Sequence, residues 1–373
     1  MNRLIRVASL IRLQAAFSVG SATAYKIYCA SKQAGISCAD ANALLERKII
    51  TPAQHKRITA IDGTAVRKIL ADCAKCGIRI VCIDDDEYPQ RLMGIAVPPL
   101  VLYIKGVLPD IDNEPTVCIV GPREVSHFGK KAAYSLAKRL GSAGFIVVSG
   151  AALGCDTFAH EGALRSGGRT VAVLGCGIAY DYLPENRALR RRIAANSCLI
   201  SEHPPYAPTT KYSFPVRNRI LSGLSLGTVV IEAGNKSGAL ITARHACEQG
   251  RDVFVIPGNP TLSQYKGSNA LLRDGAYPLI DASDVFNAYI AQFPDKIDLE
   301  RAFAQQKKNV KKQKVSLSKE AEIVYNNLDR QKFTVDDLEG TGLDIDVLLS
   351  AITELEMAHL IKTLPGGSYA VCE

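Results

Sequence analysis

From residue 117 onward the chain alternates between short unbroken apolar runs and longer stretches of helical period. Val117-Cys-Ile-Val120, Phe145-Ile-Val-Val148, Thr170-Val-Ala-Val-Leu174, Cys198-Leu-Ile200, Thr228-Val-Val-Ile231 and Val253-Phe-Val-Ile256 read as strands. Stretches such as 129–142 and 239–249 read as the helices between them. Such runs present no polar face to water, so they need cover on both sides. A parallel sheet between two helix layers supplies it. The expected fold class is α/β, a doubly wound Rossmann-like domain ending near residue 290.

The flanking regions follow other patterns. Residues 1–75 read as short helices, and Phe17-Ser-Val-Gly-Ser-Ala-Thr-Ala-Tyr-Lys-Ile27 places a glycine before an alanine-rich helix start. That is the habit of small SAM or helix-hairpin-helix modules, and of tight helix–helix turns generally. Ile78-Arg-Ile-Val-Cys-Ile83 and Leu100-Val-Leu-Tyr-Ile104 read as extended, either side of the acidic turn at 84–89. Residues 304–314 hold lysine and glutamine with almost nothing to bury, as a linker does. Beyond them 320–328, 335–338 and 344–356 read as helices, and Gly366-Gly367 as a hairpin turn. Three helices and a hairpin give the winged-helix order. The expected domains are a small helical domain over 1–75, an extended Rossmann-like domain over 76–290, a lysine-rich linker over 291–314 and a winged helix over 315–373.

Composition narrows the class. In 373 residues 47% are apolar, enough for real cores. The first twenty residues are interrupted by Arg3, Arg6 and Arg12, which predicts an amphipathic helix and not a signal peptide. No run approaches the ~18–20 apolar residues of a membrane span. Eleven scattered cysteines predict reduced core residues in a soluble cytoplasmic protein, not a disulfide framework. Cys73-Ala-Lys-Cys76 lacks a second pair at zinc-finger spacing, so no metal site is expected.

The charge of +8 is unevenly spread. Residues 115–290 carry 19 basic and 12 acidic side chains, whereas 315–373 carry 4 and 11. An anionic partner is expected on the central domain and not on the tail.

Loops after the strands are where a doubly wound sheet binds ligands. Gly121-Pro-Arg-Glu-Val-Ser126 offers close backbone approach, with Arg123 and Ser126 as donors. Ser149-Gly-Ala-Ala-Leu-Gly-Cys-Asp156 leads into a helix carrying His160, with Asp156 expected as an N-cap and His160 as a structural histidine. Gly175-Cys-Gly177 lacks the full GxGxxG pattern and an acidic ribose partner, so no dinucleotide cofactor is expected. Lys211-Tyr-Ser-Phe-Pro-Val-Arg-Asn-Arg219 supplies Arg217, Asn218 and Arg219 for phosphates or base edges, and Tyr212 and Phe214 for stacking on unpaired bases or for core packing. Glu232-Ala-Gly-Asn-Lys-Ser-Gly238 puts Lys236, Ser237 and Gly238 at a helix start. It is not a Walker loop, because GxxxxGK[ST] occurs nowhere. No nucleophile, metal cluster or catalytic set is evident. One enzymatic alternative remains, a Rossmann-type nucleotide or nucleoside-phosphate hydrolase using Glu232 before its glycine loop.

Taken in order, several segments resemble the DNA-processing protein A (DprA/Smf) family. They are Ile119-Val-Gly-Pro-Arg123, Val148-Ser-Gly150 with Gly154-Cys-Asp156 and His160, Val173-Leu-Gly175, Phe214-Pro-Val-Arg-Asn-Arg219, Glu232-Ala-Gly-Asn-Lys-Ser-Gly-Ala-Leu-Ile-Thr242, Val255-Ile-Pro-Gly258, Lys266-Gly-Ser-Asn-Ala-Leu-Leu272 and Asp274-Gly-Ala276. The resemblance spans nearly the whole chain. It implies a cytoplasmic, non-enzymatic protein that binds single-stranded DNA, protects incoming strands in natural transformation and helps load the RecA recombinase. It also implies a homodimer, and DNA contacts at Arg123, Phe214, Arg217, Asn218, Arg219, Lys236, Ser237 and Gly238. Two departures stand out. Leu153 replaces a common cation, for which Lys211 and Arg165 are candidate substitutes, and Pro122 replaces a small hydroxyl residue. The expected recognition helix, 344–356, carries no Lys or Arg, which argues against a duplex-DNA regulator and for a protein-contact or self-regulatory role.

Overall fold

A computed structural model of the chain describes residues 3–303, 317–328, 333–358, 360–364 and 368–371. They fall into two units, meeting in sequence at Phe303 and Ala304. The expected linker over 304–314 and the glycine turn at 366–367 lie outside the described residues.

The first unit is built on a nine-stranded sheet. Its strands are β1 (Arg79–Cys82), β2 (Val101–Gly106), β3 (Thr116–Val120), β4 (Ile146–Ser149), β5 (Thr170–Leu174), β6 (Cys198–Ser201), β7 (Gly227–Val230), β8 (Asp252–Val255) and β9 (Tyr277–Pro278), in the order β1-β2-β6-β5-β4-β3-β7-β8-β9. From β6 to β9 every pairing is parallel, and β1 and β2 add an antiparallel edge. Alternate residues of each strand enter different cores, as the two-residue period of a strand requires. Cys118 and Val120 of β3 pack on one face, and Val117 and Ile119 on the other. The continuous apolar pattern predicted this doubly covered sheet. It did not reveal β9, a two-residue strand whose residues are both exposed.

Five helices precede the sheet: α1 (Arg3–Phe17), α2 (Ala22–Gln33), α3 (Ala41–Glu46), α4 (Pro52–Thr59) and α5 (Gly63–Cys76). The glycine expected before a helix start is Gly20, at φ 74°, and Ser21 caps α2 by accepting from the Ala24 amide. A side chain at Gly20 would meet Val216 Cγ1 at 2.4 Å, so this turn presses on the central domain. Leu10, Leu13, Ile27 and Leu44 share one core with Val101, Ile104 and Ile220. The expected separate 1–75 domain is thus continuous with one face of the sheet. The boundary near 290 also shifts, because Phe293, Ile297 and Ala302 bury themselves on the opposite face.

Between and beyond the parallel strands lie α6 (His127–Ser142), α7 (Cys155–Arg165), α8 (Arg187–Asn196), α9 (Ser213–Gly223), α10 (Gly238–Glu248), α11 (Lys266–Arg273) and α12 (Ala282–Tyr289). Chain direction through the sheet reverses about β3, with β4 to β6 on one side and β7 to β9 on the other. Loops leaving β3 and β7 therefore diverge, which opens a crevice at their carboxyl ends.

The second unit has helices Lys319–Asn326 and Ile345–Met357, a 3₁₀ turn Asp336–Thr341, and the antiparallel pair β10 (Ile361–Leu364) and β11 (Ser368–Val371). Ala321, Val324, Leu348, Ile352, Leu355 and Ile361 form its core. This is the expected winged-helix order, with the middle helix reduced to a 3₁₀ turn.

Candidate nucleic-acid cleft

A cleft of about 840 Å³ opens at the crevice between β3 and β7. Five segments build it: the loop after β3, the loop from β4 into α7, the first turns of α9, the loop from β7 into α10, and the residues that lead into α11.

Helix α9 decides which part of the Arg-Asn-Arg segment can reach a ligand. Phe214, Arg217, Asn218 and Leu221 stand at i, i+3, i+4 and i+7, one helical face, and all four line the cleft. Arg219 lies on another face. Its guanidinium grips Glu202 through two bonds of 2.8 Å and donates to the carbonyls of Val97 and Val216. Both side chains of that pair are nearly buried, at 10% and 5% exposure. Arg219 was expected to face nucleic acid; it is instead an internal ion pair outside the cleft.

Arg217 occupies an intermediate position. Its Nη1 donates to Gly150 O at 3.0 Å and to Val173 O, bridging the ends of β4 and β5, while Nε donates to Asn218 Oδ1 at 3.2 Å. Nη2 has no hydrogen-bond partner among the described residues. Burial pushes the guanidinium below its ordinary pKa, and neighbouring Asp156 opposes the shift. Asp156 also lines the cleft, accepting from the Gly150 and Ala152 amides at 3.2 Å each. Burial raises its carboxyl, against the pull of Arg217. Asp156 is thus not the expected N-cap, a position Gly154 holds; from the first turn of α7 its carboxylate braces the preceding loop.

That loop and the loop after β3 are clamped together. The Cys155 amide donates to Pro122 O at 3.1 Å, and a side chain at Gly154 (φ 79°) would lie 2.1 Å from Arg123 O. The Arg123 backbone is held, but its exposed guanidinium makes no hydrogen bond among the described residues and lies 4.9 Å from the Phe214 ring centre. Half-buried Phe214 also packs on Tyr182 at 5.4 Å, so both readings of this aromatic, core and ligand wall, apply.

Across the cleft, Ser237 caps α10, its hydroxyl accepting from the Ala239 amide at 3.3 Å. Gly238 follows with nothing within 4 Å of the place a side chain would occupy, so its backbone faces open space. Lys236 is exposed beside them. The same bank adds Asn235, Gln264 and Lys266, which the sequence reading did not single out as contacts. Lys266 was legible as a cation opening a helix after a proline-rich turn, although the Gly267 and Ser268 amides behind it already donate to Ala233 O.

Ser126 departs from expectation. Its hydroxyl donates to Glu232 Oε1 and accepts from Gly129 N, and its amide donates to Glu232 Oε2 at 3.1 Å. Tyr265 also donates to Glu232, at 3.0 Å. Glu232 is 1% exposed and does not line the cleft, so it ties three loops together. His160 is fully buried; Thr170 Oγ1 donates to Val147 O and so accepts from His160 Nδ1, at 2.7 Å. Gly177 sits where a side chain would meet Pro204 O at 2.1 Å, a packing glycine and not a phosphate loop. Of the two substitutes for Leu153, Arg165 ends α7, about 15 Å along the helix from Cys155 at the cleft's edge, and Lys211 lies over Tyr212 outside the cleft lining. Among the described residues no group of three or more His, Cys, Asp or Glu is placed to hold a metal, and no helix is long and apolar enough to cross a membrane.

Comparison with known proteins gives a consistent picture. The family described as DNA recombination-mediator protein A matches residues 79–290, and the DprA winged helix domain matches 311–367. The DNA processing protein DprA of Bacillus subtilis is 38% identical over 219 residues, 59% of this chain and 74% of that protein. Protein Smf of Escherichia coli is 28% identical over 344 residues, 87% of this chain and 86% of that protein. The X-ray structure of DNA processing protein A from Streptococcus pneumoniae superposes with a TM-score of 0.67 at 32% identity, covering 75% of this chain and 97% of that one. The Helicobacter pylori DNA processing protein A, described for its single-stranded DNA binding mode, superposes at 0.53 and 29% identity, over 58% and 96%.

Proposed function

The chain belongs to the DNA recombination-mediator protein A (DprA/Smf) family, and from that premise we propose that it binds single-stranded DNA in the cleft between β3 and β7. The observation that carries this reading is the rim. Arg123, Lys236 and Lys266 are exposed and line the opening, and none makes a hydrogen bond or ion pair among the described residues. Beside them the α10 start adds backbone amides and a helix dipole. Unpaired cations around a groove at a helix N-terminus suit phosphates that pass by, and Phe214 offers an aromatic wall that a paired duplex would not reach.

Within this reading the family membership supports a part in natural transformation, with the bound strand protected and passed to RecA. It likewise supports a homodimer, acting in the cytoplasm where that DNA arrives. The protein works by binding and not by catalysis: Glu232, which a hydrolase would need as its base, is buried and already accepts from Ser126 and Tyr265. Equilibrium binding of matched single- and double-stranded oligonucleotides tests the proposal. Clear preference for the single strand, with no base released from a mononucleotide, supports it. Equal affinity for duplex, or release of free base, contradicts it.

A further inference from the structure

The recognition-helix position of the winged unit presents an apolar stripe to solvent. In Ile345–Met357 the side chains of Leu348, Ala351, Ile352 and Leu355 enter the core. Ile345, Leu349 and Met357 do not, and are 64%, 44% and 79% exposed. With exposed Thr353 they stand at i, i+4, i+8 and i+12, a stripe about 18 Å long beside the buried face. The Thr353 hydroxyl donates to Leu349 O at 2.8 Å, so it leaves no unmet donor on that stripe. Single exposed leucines are ordinary on a protein surface, whereas a stripe along one helix marks a contact. Acid borders it. Asp344 and Asp346 are exposed at one end and make no ion pair among the described residues, and exposed Glu356 lies at the other. Residues 315–373 carry 4 basic and 11 acidic side chains, and this helix has neither Lys nor Arg.

We propose that this face docks a basic amphipathic helix of another protein. Charge rules out the occupant that a winged helix ordinarily takes. Duplex phosphates would meet Asp344, Asp346 and Glu356, with no cation on the helix to answer them. A second copy of the same face would set those carboxylates against one another, a like-charge contact that disfavours pairing. A basic helix satisfies both features at once. Its apolar ridge covers Ile345, Leu349 and Met357, and Lys or Arg beside that ridge reach the carboxylates. Met357, unbranched and the most exposed of the three, adapts to side chains of differing shape. The unit thus keeps the winged-helix order while the surface of its recognition helix suits protein and not phosphate. The strand-binding cleft of the first unit plays no part in this contact.

The test titrates the intact chain into a labelled lysine–leucine peptide of about 14 residues, its leucines at helical spacing, followed by fluorescence anisotropy. A scrambled peptide of the same composition has the same charge and no apolar ridge. The ordered peptide should bind about tenfold or more tightly than the scrambled one. Leu349→Ser/Met357→Ser alters only exposed positions and should bring the two peptides within about twofold. Asp344→Lys/Asp346→Lys should weaken the ordered peptide about fivefold or more. Equal affinities for the two peptides in the unmodified chain, or an advantage that survives the serine pair, overturn the proposal. It is also overturned if the serine pair abolishes self-association in sedimentation, which assigns the face to a second copy. A serine pair that loses affinity for duplex or single-stranded DNA overturns it as well, by assigning the face to nucleic acid.

Discussion

Arg219 and Lys236 were read from the sequence as equivalent phosphate contacts, and their surroundings separate them. Lys236 is exposed and unpaired among the described residues, so Lys236→Ala should leave stability within about 0.5 kcal/mol. It should weaken single-strand binding, with a salt slope shallower by about 0.7. Arg219→Ala strands a buried Glu202 and should cost about 3–5 kcal/mol in urea unfolding. His160 makes a third case. Burial depresses it from 6.5 to about 3, so below about pH 6.5 the unfolded chain takes up a proton that the folded chain refuses. Its favourable contribution is complete above that pH and is lost as pH falls toward 3. His160→Gln should therefore lose less stability than the unmodified chain between about pH 7 and 5, by roughly 2 kcal/mol in unfolding titrations at the two pH values. None of these burials is visible in residue type alone, which is why Arg219 and Ser126 were misjudged.

At the level of elements, the sequence was most informative where one pattern governs a whole strand or helix. The strands from β3 to β8 fall within a residue or so of their apolar runs, because burial on both faces leaves no polar interruption. Arg219 was misread because 211–219 was taken as a contact segment. Applying a helical period from Ser213 would have grouped Phe214, Arg217, Asn218 and Leu221 and set Arg219 apart. Lys266 was missed for a different reason, since crossover topology alone brings α11 and the first turns of α10 to the same opening as α9. The paired loops after β3 and β4 depend on one glycine. Gly154→Ala combines an unfavourable φ of 79° with a 2.1 Å approach to Arg123 O. It should cost more than about 1 kcal/mol in thermal or urea unfolding and should lower strand affinity as well.

Across the whole molecule, charge and topology agree on where an anion belongs. The central residues are basic, the tail from 315 to 373 is acidic, and the three rim cations all belong to the first unit. Removing residues 315–373 should leave single-strand affinity unchanged or raised at matched salt, and a large loss would contradict the charge argument. The helix Ile345–Met357 fits this view, because Asp344 stands immediately before it, Asp346 lies in its first turn and it contains no cation. The central claim, that a single strand runs along the cleft between β3 and β7, meets its most direct test in one salt titration. Single-strand affinity is measured against salt for the unmodified chain and for the Lys236→Ala/Lys266→Ala double variant. The account predicts weaker binding and a slope of log K against log salt shallower by about 1.4. An unchanged affinity with an unchanged slope would mean that the strand binds elsewhere.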